Sequence, residues 1–169
     1  MPRRRSNSID LGKFFHTRDA WSRRIEGAFN VVHPNDPENF MGNCSTCAVI
    51  AGNALVNGTQ PTVAGEGETP VTGGIKLRHF GEGDIHEVWS FVVTRTAPGG
   101  VYIVEDEEDH VFVVVRHGNG SLYLVDSNMQ VYFKVHSLSD FVVDGFNHLM
   151  PGEEGMNVHY WGQLHNHWA

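Results

Sequence analysis

Cysteine is scarce in this chain: only Cys44 and Cys47 occur in 169 residues. Two thiols three residues apart do not build the disulfide framework of a small secreted domain, so a reducing environment is expected. No apolar run approaches the ~20 residues that a membrane-spanning helix requires. Positive charge is short as well, with 12 Lys and Arg against 20 Asp and Glu and a formal net charge of −8. A nucleic-acid binder needs a basic face to displace counterions from phosphates, and this balance argues against one. Internal repeats are missing too, which removes the solenoid and propeller classes.

What remains is a chain with 40% hydrophobic residues, enough for one packed core. Residues 1–9 (Met-Pro-Arg-Arg-Arg-Ser-Asn-Ser-Ile) read as a disordered basic tail, since a signal peptide would add an apolar segment. Residues 10–169 read as a single domain. A first helix is expected from about Leu11 to Phe29, with Phe14, Phe15, Trp21 and Ile25 as its apolar contacts. Residues 33–43 are rich in proline and asparagine and read as a loop leading to Cys44. From there Cys47, Ala51, Ala54 and Leu55 recur at helical spacing, and Asn57-Gly58 supplies a stop, so residues 44–57 are expected to be helical. Residues 58–74 read as a mobile Gly/Thr/Pro loop, and Ile85–Val93 fits a short helix or a strand.

The second half is strand-like. Val101–Val104, His110–Arg116, Leu122–Asp126 and Val131–Val135 are β-branched and aromatic runs between turn residues. Gly118-Asn119-Gly120 suits a three-residue hairpin loop. The fold class expected is therefore α+β: a helical first part, then an antiparallel sheet.

Cys44 falls where a loop becomes a helix, and unpaired amides there favour a negative sulfur. Cys47, one turn on, should face inward as a small hydrophobe. A thiolate needs an imidazole to hold its proton, and the imidazole needs an acceptor to orient it. His110 opens one strand and Asp126 closes the next. With a three-residue loop His117 faces Ser121, which places His110 opposite Asn128 and Asp126 opposite Phe112. Alternation then projects His110, Asp126 and Asn128 from one face. A loop one residue shorter or longer would put Asp126 on the other side.

Gly42-Asn43-Cys44-Ser45-Thr46-Cys47-Ala48 resembles the nucleophile motif of papain-fold bacterial toxins and effectors, among them glutamine deamidases. In that family the first cysteine of an Asn-Cys-x-x-Cys-Ala run is the nucleophile, matching Cys44. A histidine opening a strand matches His110 in Asp109-His110-Val111-Phe112-Val113. An aspartate ending the next strand matches Asp126, with Asn128 where the family usually has glutamine. The resemblance spans residues 42–136 and implies a papain-like fold and a catalytic set of Cys44, His110 and Asp126 that uses no cofactor or metal. It also implies a protein substrate in a target cell. The chain would be made in a bacterial cytoplasm and delivered by a specialised secretion system into the target-cell cytosol, with a cognate immunity protein if the target is a competing bacterium. A cysteine protease of the same fold, or a non-catalytic papain-like binding module, is the alternative.

Other readings were weighed on the same residues. Cys44 and Cys47 could form half a zinc site completed by His165 and His167 or by other histidines, although no second close Cys pair exists. A thioredoxin-like pair would follow a strand rather than a loop. His79 and His86 are the runner-up bases. The acidic run Glu105–Asp109 reads as a solvated loop that could also help to keep His110 protonated. The ending Tyr160–Trp168 is aromatic and histidine-dense, with Trp161 and Leu164 expected to pack on the sheet.

Overall fold

The structure is a computed structural model that describes residues 17–33, 42–71, 75–77, 90, 94–106, 110–143, 146–148 and 156–169. Its described residues form two α-helices, α1 (Ala20–Phe29) and α2 (Cys44–Asn57). Eight strands follow: β1 (Ile75–Leu77), β2 (Gly100–Asp106), β3 (His110–Arg116), β4 (Leu122–Asp126), β5 (Val131–Val135), β6 (Val142–Val143), β7 (Phe146–Asn147) and β8 (Met156–Gln163). Six of them make one antiparallel sheet in the order β1-β8-β2-β3-β4-β5, and β6 pairs with β7 separately. The architecture is α+β.

The β3–β4 hairpin has the register expected of a three-residue loop. Val113 pairs with Val125 and Arg116 with Leu122, and His117 N–H donates to Ser121 O at 2.8 Å. Gly120 closes the loop at φ +92°, a conformation that an L side chain resists. β3 reads His-Val-Phe-Val-Val-Val-Arg and is buried over its first six residues. A near-continuous apolar run of this kind marks a strand covered on both faces.

One face carries Val101, Ile103, Val111, Val113, Val115, Tyr123, Val125 and Tyr132, packed under both helices. Ala48, Ala51 and Ala54 line the buried side of α2, and small side chains let a helix axis approach a sheet closely. Gly52 lies close to β8 too: a Cβ there would lie 2.9 Å from Trp161 Cδ1. The opposite face gathers Tyr102, Val104, Phe112, Val114, Leu124, Phe133 and Phe141 into a second cluster. α2 ends at Gly58, φ +71°, the left-handed stop expected after Asn57.

Two expectations need correction. The first helix does not run through residues 17–19: Thr17 bridges Lys134, and Asp19 caps α1 by accepting from Ser22 N–H at 2.9 Å. An aspartate ahead of Ala-Trp-Ser is an N-cap signal, so the chain enters the helix at Ala20; Phe14 and Phe15 lie outside the described residues. The second concerns residues 58–71, where a mobile loop was expected. Ser45 Oγ donates to Glu68 Oε2 at 2.7 Å and accepts from Thr69 N–H at 2.9 Å, while Thr46 Oγ1 donates to Gly67 O at 2.7 Å. This segment is tied to the first turn of α2; residues 72–74 lie outside the description.

In the C-terminal segment Trp161 and Leu164 pack against the core as expected, and residues 156–163 do more than cover the sheet: they form a strand, β8, inserted between β1 and β2. Trp161 does pack inward, against α2, and its Nε1–H donates to Asn53 Oδ1 at 2.8 Å. Most of Ile85–Val93 falls outside the described residues, as do His79 and His86.

Candidate active site

Two sequence signals meet at one end of the sheet. β3 begins at His110 and β4 ends at Asp126, so a register that closes after Gly118-Asn119-Gly120 carries both side chains to that end. His110 Nε2 lies 2.7 Å from Asp126 Oδ2, with both residues buried. The His110 ring stacks beside Phe112 at 6.3 Å between centroids, which assigns it to the sheet face away from α2.

α2 approaches the same end with its N-terminus. Cys44 is its first residue, nearly buried, and its sulfur is near enough to His110 to help raise the imidazole. Because Nε2 is committed to Asp126, Nδ1 is the ring nitrogen left for the sulfur. Cys44, His110 and Asp126 therefore gather at one end of the sheet. Cys47 is buried, as expected of a small hydrophobe, and burial pushes its thiol up to about 12.

Asn128 departs from its expected place. It lies in the turn between β4 and β5, off the β3 ladder, where His110 instead pairs with Asp106 of β2. Its Nδ2 donates to Asn43 Oδ1 at 3.0 Å and approaches Cys47 Sγ at 3.8 Å. The turn residue thus grips α2 where the helix starts. Asn43 occupies the N-cap position but makes no capping hydrogen bond through its side chain.

Burial works against the charge of His110, but the Asp126 carboxylate and the Cys44 sulfur outweigh it and raise the imidazole to about 9. Asp126 shows the converse: burial favours its neutral form, yet His110 and a second histidine hold the carboxyl well below the usual carboxylate range. That second histidine is His148, which the sequence reading missed. Its Nε2 lies 2.8 Å from the same Asp126 oxygen. His148 follows a short two-strand excursion after β5 and carries no local motif, so only the tertiary fold brings it to the site.

Glu105, from the acidic run, sits elsewhere. It faces His159 Nε2 and Asn157 Nδ2, each at 3.4 Å. Residues 107–109 lie outside the description.

His110, Asp126 and His148 are also the three side chains here that could offer atoms to a metal ion. Two ligands on a tetrahedral zinc, each ~2.0–2.1 Å from the ion, stand roughly 3.3 Å apart. Separations of 2.7 and 2.8 Å, both to one carboxylate oxygen, are hydrogen bonds instead. Cys44 and Cys47 do not assemble a zinc site with His165 and His167. His165 lies against Gly58 at the far end of α2, and 14 residues of helix put roughly 20 Å between the two ends.

No family model, curated protein or solved structure matches this chain. No helix among the described residues is long and apolar enough to cross a membrane.

Proposed function

We propose that this chain is a papain-like cysteine hydrolase that cleaves an amide, with Cys44 as nucleophile, His110 as its acid and base, and Asp126 orienting the imidazole. The observation that carries the reading is a buried imidazole bonded to a buried carboxylate at 2.7 Å, with a helix-terminal sulfur near enough to help raise the ring. That order of groups is what nucleophilic catalysis by a thiol requires.

The chemistry follows from the arrangement. The Cys44 thiolate attacks the amide carbon, and the carbonyl oxygen becomes an oxyanion. Amides in the first turn of α2 suit that charge, because the Asn43 side chain does not cap them. Protonated His110 donates from Nδ1 to the leaving nitrogen, the C–N bond breaks, and a thioester remains. Neutral His110 then takes a proton from water, hydroxide adds to the thioester, and the free acid and Cys44 are regenerated.

For a glutamine side chain the products are ammonia and glutamate. Likeness of the Gly42–Ala48 block to papain-fold toxins supports this substrate, and with it a role as an effector delivered into a target cell. Expression of wild type and Cys44→Ala in candidate target cells tests the proposal. Deamidation adds about one dalton to glutamine-containing peptides, in wild-type samples only. New peptide termini would make the enzyme a protease. Identical proteomes, together with iodoacetamide labelling of Cys44 no faster than Cys47, would leave a binding module.

A further inference from the structure

His148 is fully buried and held from several sides. Its Nδ1 lies 3.0 Å from Phe141 O, and its backbone N–H donates to that same carbonyl at 2.9 Å. The ring stands edge-on to Phe112 at 4.9 Å and lies 5.7 Å from the His110 ring. A carboxylate only accepts, so the Nε2 facing Asp126 carries hydrogen. Oδ2 of Asp126 thus accepts from His110 at 2.7 Å and from His148 at 2.8 Å, while Oδ1 accepts from Met129 N–H at 3.1 Å. Rotating this carboxylate would break all three bonds.

We infer that His148 is a positioning residue of the proposed active site: by donating to the oxygen that His110 uses, it fixes Asp126 and takes a share of its charge. The inference rests on the cysteine-hydrolase reading, because only there does His110 have a chemical task. Each added donor spreads the negative charge of a carboxylate and weakens its hold on any one partner. His148 therefore sets how tightly Asp126 holds the proton on His110. Phe141 O, Asp126, His110 and the Phe112 ring are groups that face it among the described residues. Burial pushes its own imidazole below the ordinary value, against the pull of Asp126. An Nε2–H is present both in the imidazolium, whose Nδ1–H also reaches Phe141 O, and in the neutral Nε2 tautomer, so either form keeps the bond to Asp126.

The test follows the His110 ring by NMR through a pH titration, in wild type, His148→Leu and His148→Gln. Leucine fills the space without a donor, and the glutamine amide restores one where Nε2 stood. The His110 titration should move up by about one pH unit in His148→Leu, the scale of one charge-assisted hydrogen bond, and stay at the wild-type value in His148→Gln. If His148→Leu does not fold, His148→Asn replaces it, since its shorter amide can reach Phe141 O but not Asp126. An unmoved titration in the folded donor-less variant overturns the inference, as does a glutamine variant that shifts equally. The parent reading is tested apart from this, in wild type alone: it fails if iodoacetamide does not prefer Cys44 to Cys47.

Discussion

His110 and Asp126 meet across the β3–β4 hairpin, Nε2 to Oδ2 at 2.7 Å, and neither side chain is more than 4% exposed. Sixteen residues of chain separate them, so the contact exists only because the hairpin closes in one register. A buried ion pair must recover the desolvation of both partners through geometry and additional hydrogen bonds. Asp126 has those bonds from Met129 and His148.

Replacing the carboxylate should therefore disarm the imidazole. In Asp126→Asn the amide cannot balance a positive ring, and an amide N–H facing Nε2 forces the wrong tautomer. Activity is expected to fall by about a hundredfold or more. Even before a substrate is known, iodoacetamide labelling of Cys44 at mildly acidic pH should slow in step. Unchanged labelling across the pH range would show that Asp126 does not act through His110.

Stability should depend on pH through the same pair. His110 is raised from 6.5 to about 9, so its contribution is complete below pH ~6.5 and disappears as pH climbs through ~9. Asp126 is depressed below 3.8, so its contribution is present above that value and is lost as pH falls through the lower one. His148, held down by burial, adds to the acid decline, because the unfolded chain takes up its proton more readily. Thermal melts should be highest near pH ~6.5 and decline on both sides, towards pH ~9 as His110 loses its proton and towards acid as His148 and then Asp126 take one up. His110→Gln should flatten the alkaline decline; a slope equal to wild type would contradict the assignment.

The strap over α2 makes a separate prediction. Ser45 Oγ is the one atom bonded both to Glu68 Oε2 and to the Thr69 amide. Ser45→Ala should cost about 1–2 kcal/mol, the worth of hydrogen bonds of which one is to a charged group. The loss should be local: hydrogen exchange at Thr69 should quicken while the amides of β3 stay protected. Uniform quickening across the sheet would mean that Ser45 supports the whole fold instead.

How much of this could be read in advance differed by element. The β3–β4 hairpin was legible because its glycine loop, its alternation and its register are all local, and together they bring His110 to Asp126. Cys44 was legible as a helix start through the change from a Pro/Asn loop to alanine spacing. β8 was not, since Asn157-Val158-His159-Tyr160-Trp161-Gly162 has no clean alternation and its partner β2 lies over fifty residues earlier. His148 was hidden for the same reason, as nothing near it in the chain announces a carboxylate on β4. Asn128 was misplaced because strand parity was carried past Asp126, where the chain already turns.

Gly52 puts two opposing effects on one atom. Alanine in the middle of a helix gains up to about 1 kcal/mol over glycine, which on propensity alone would stabilise α2. The added Cβ would meet Trp161 Cδ1 at 2.9 Å, Nε1 at 3.1 Å and Ile103 Cδ1 at 3.4 Å. Trp161 is not free to swing away, being tethered to Asn53 on the same helix, so the ring or the helix must shift. Overpacking of this kind costs about 1–3 kcal/mol and outweighs the propensity gain. Gly52→Ala should thus lower the melting temperature, whereas Gly52→Ala combined with Trp161→Leu should recover part of the loss. A single variant more stable than wild type would show that α2 stands farther from β8 than this packing requires.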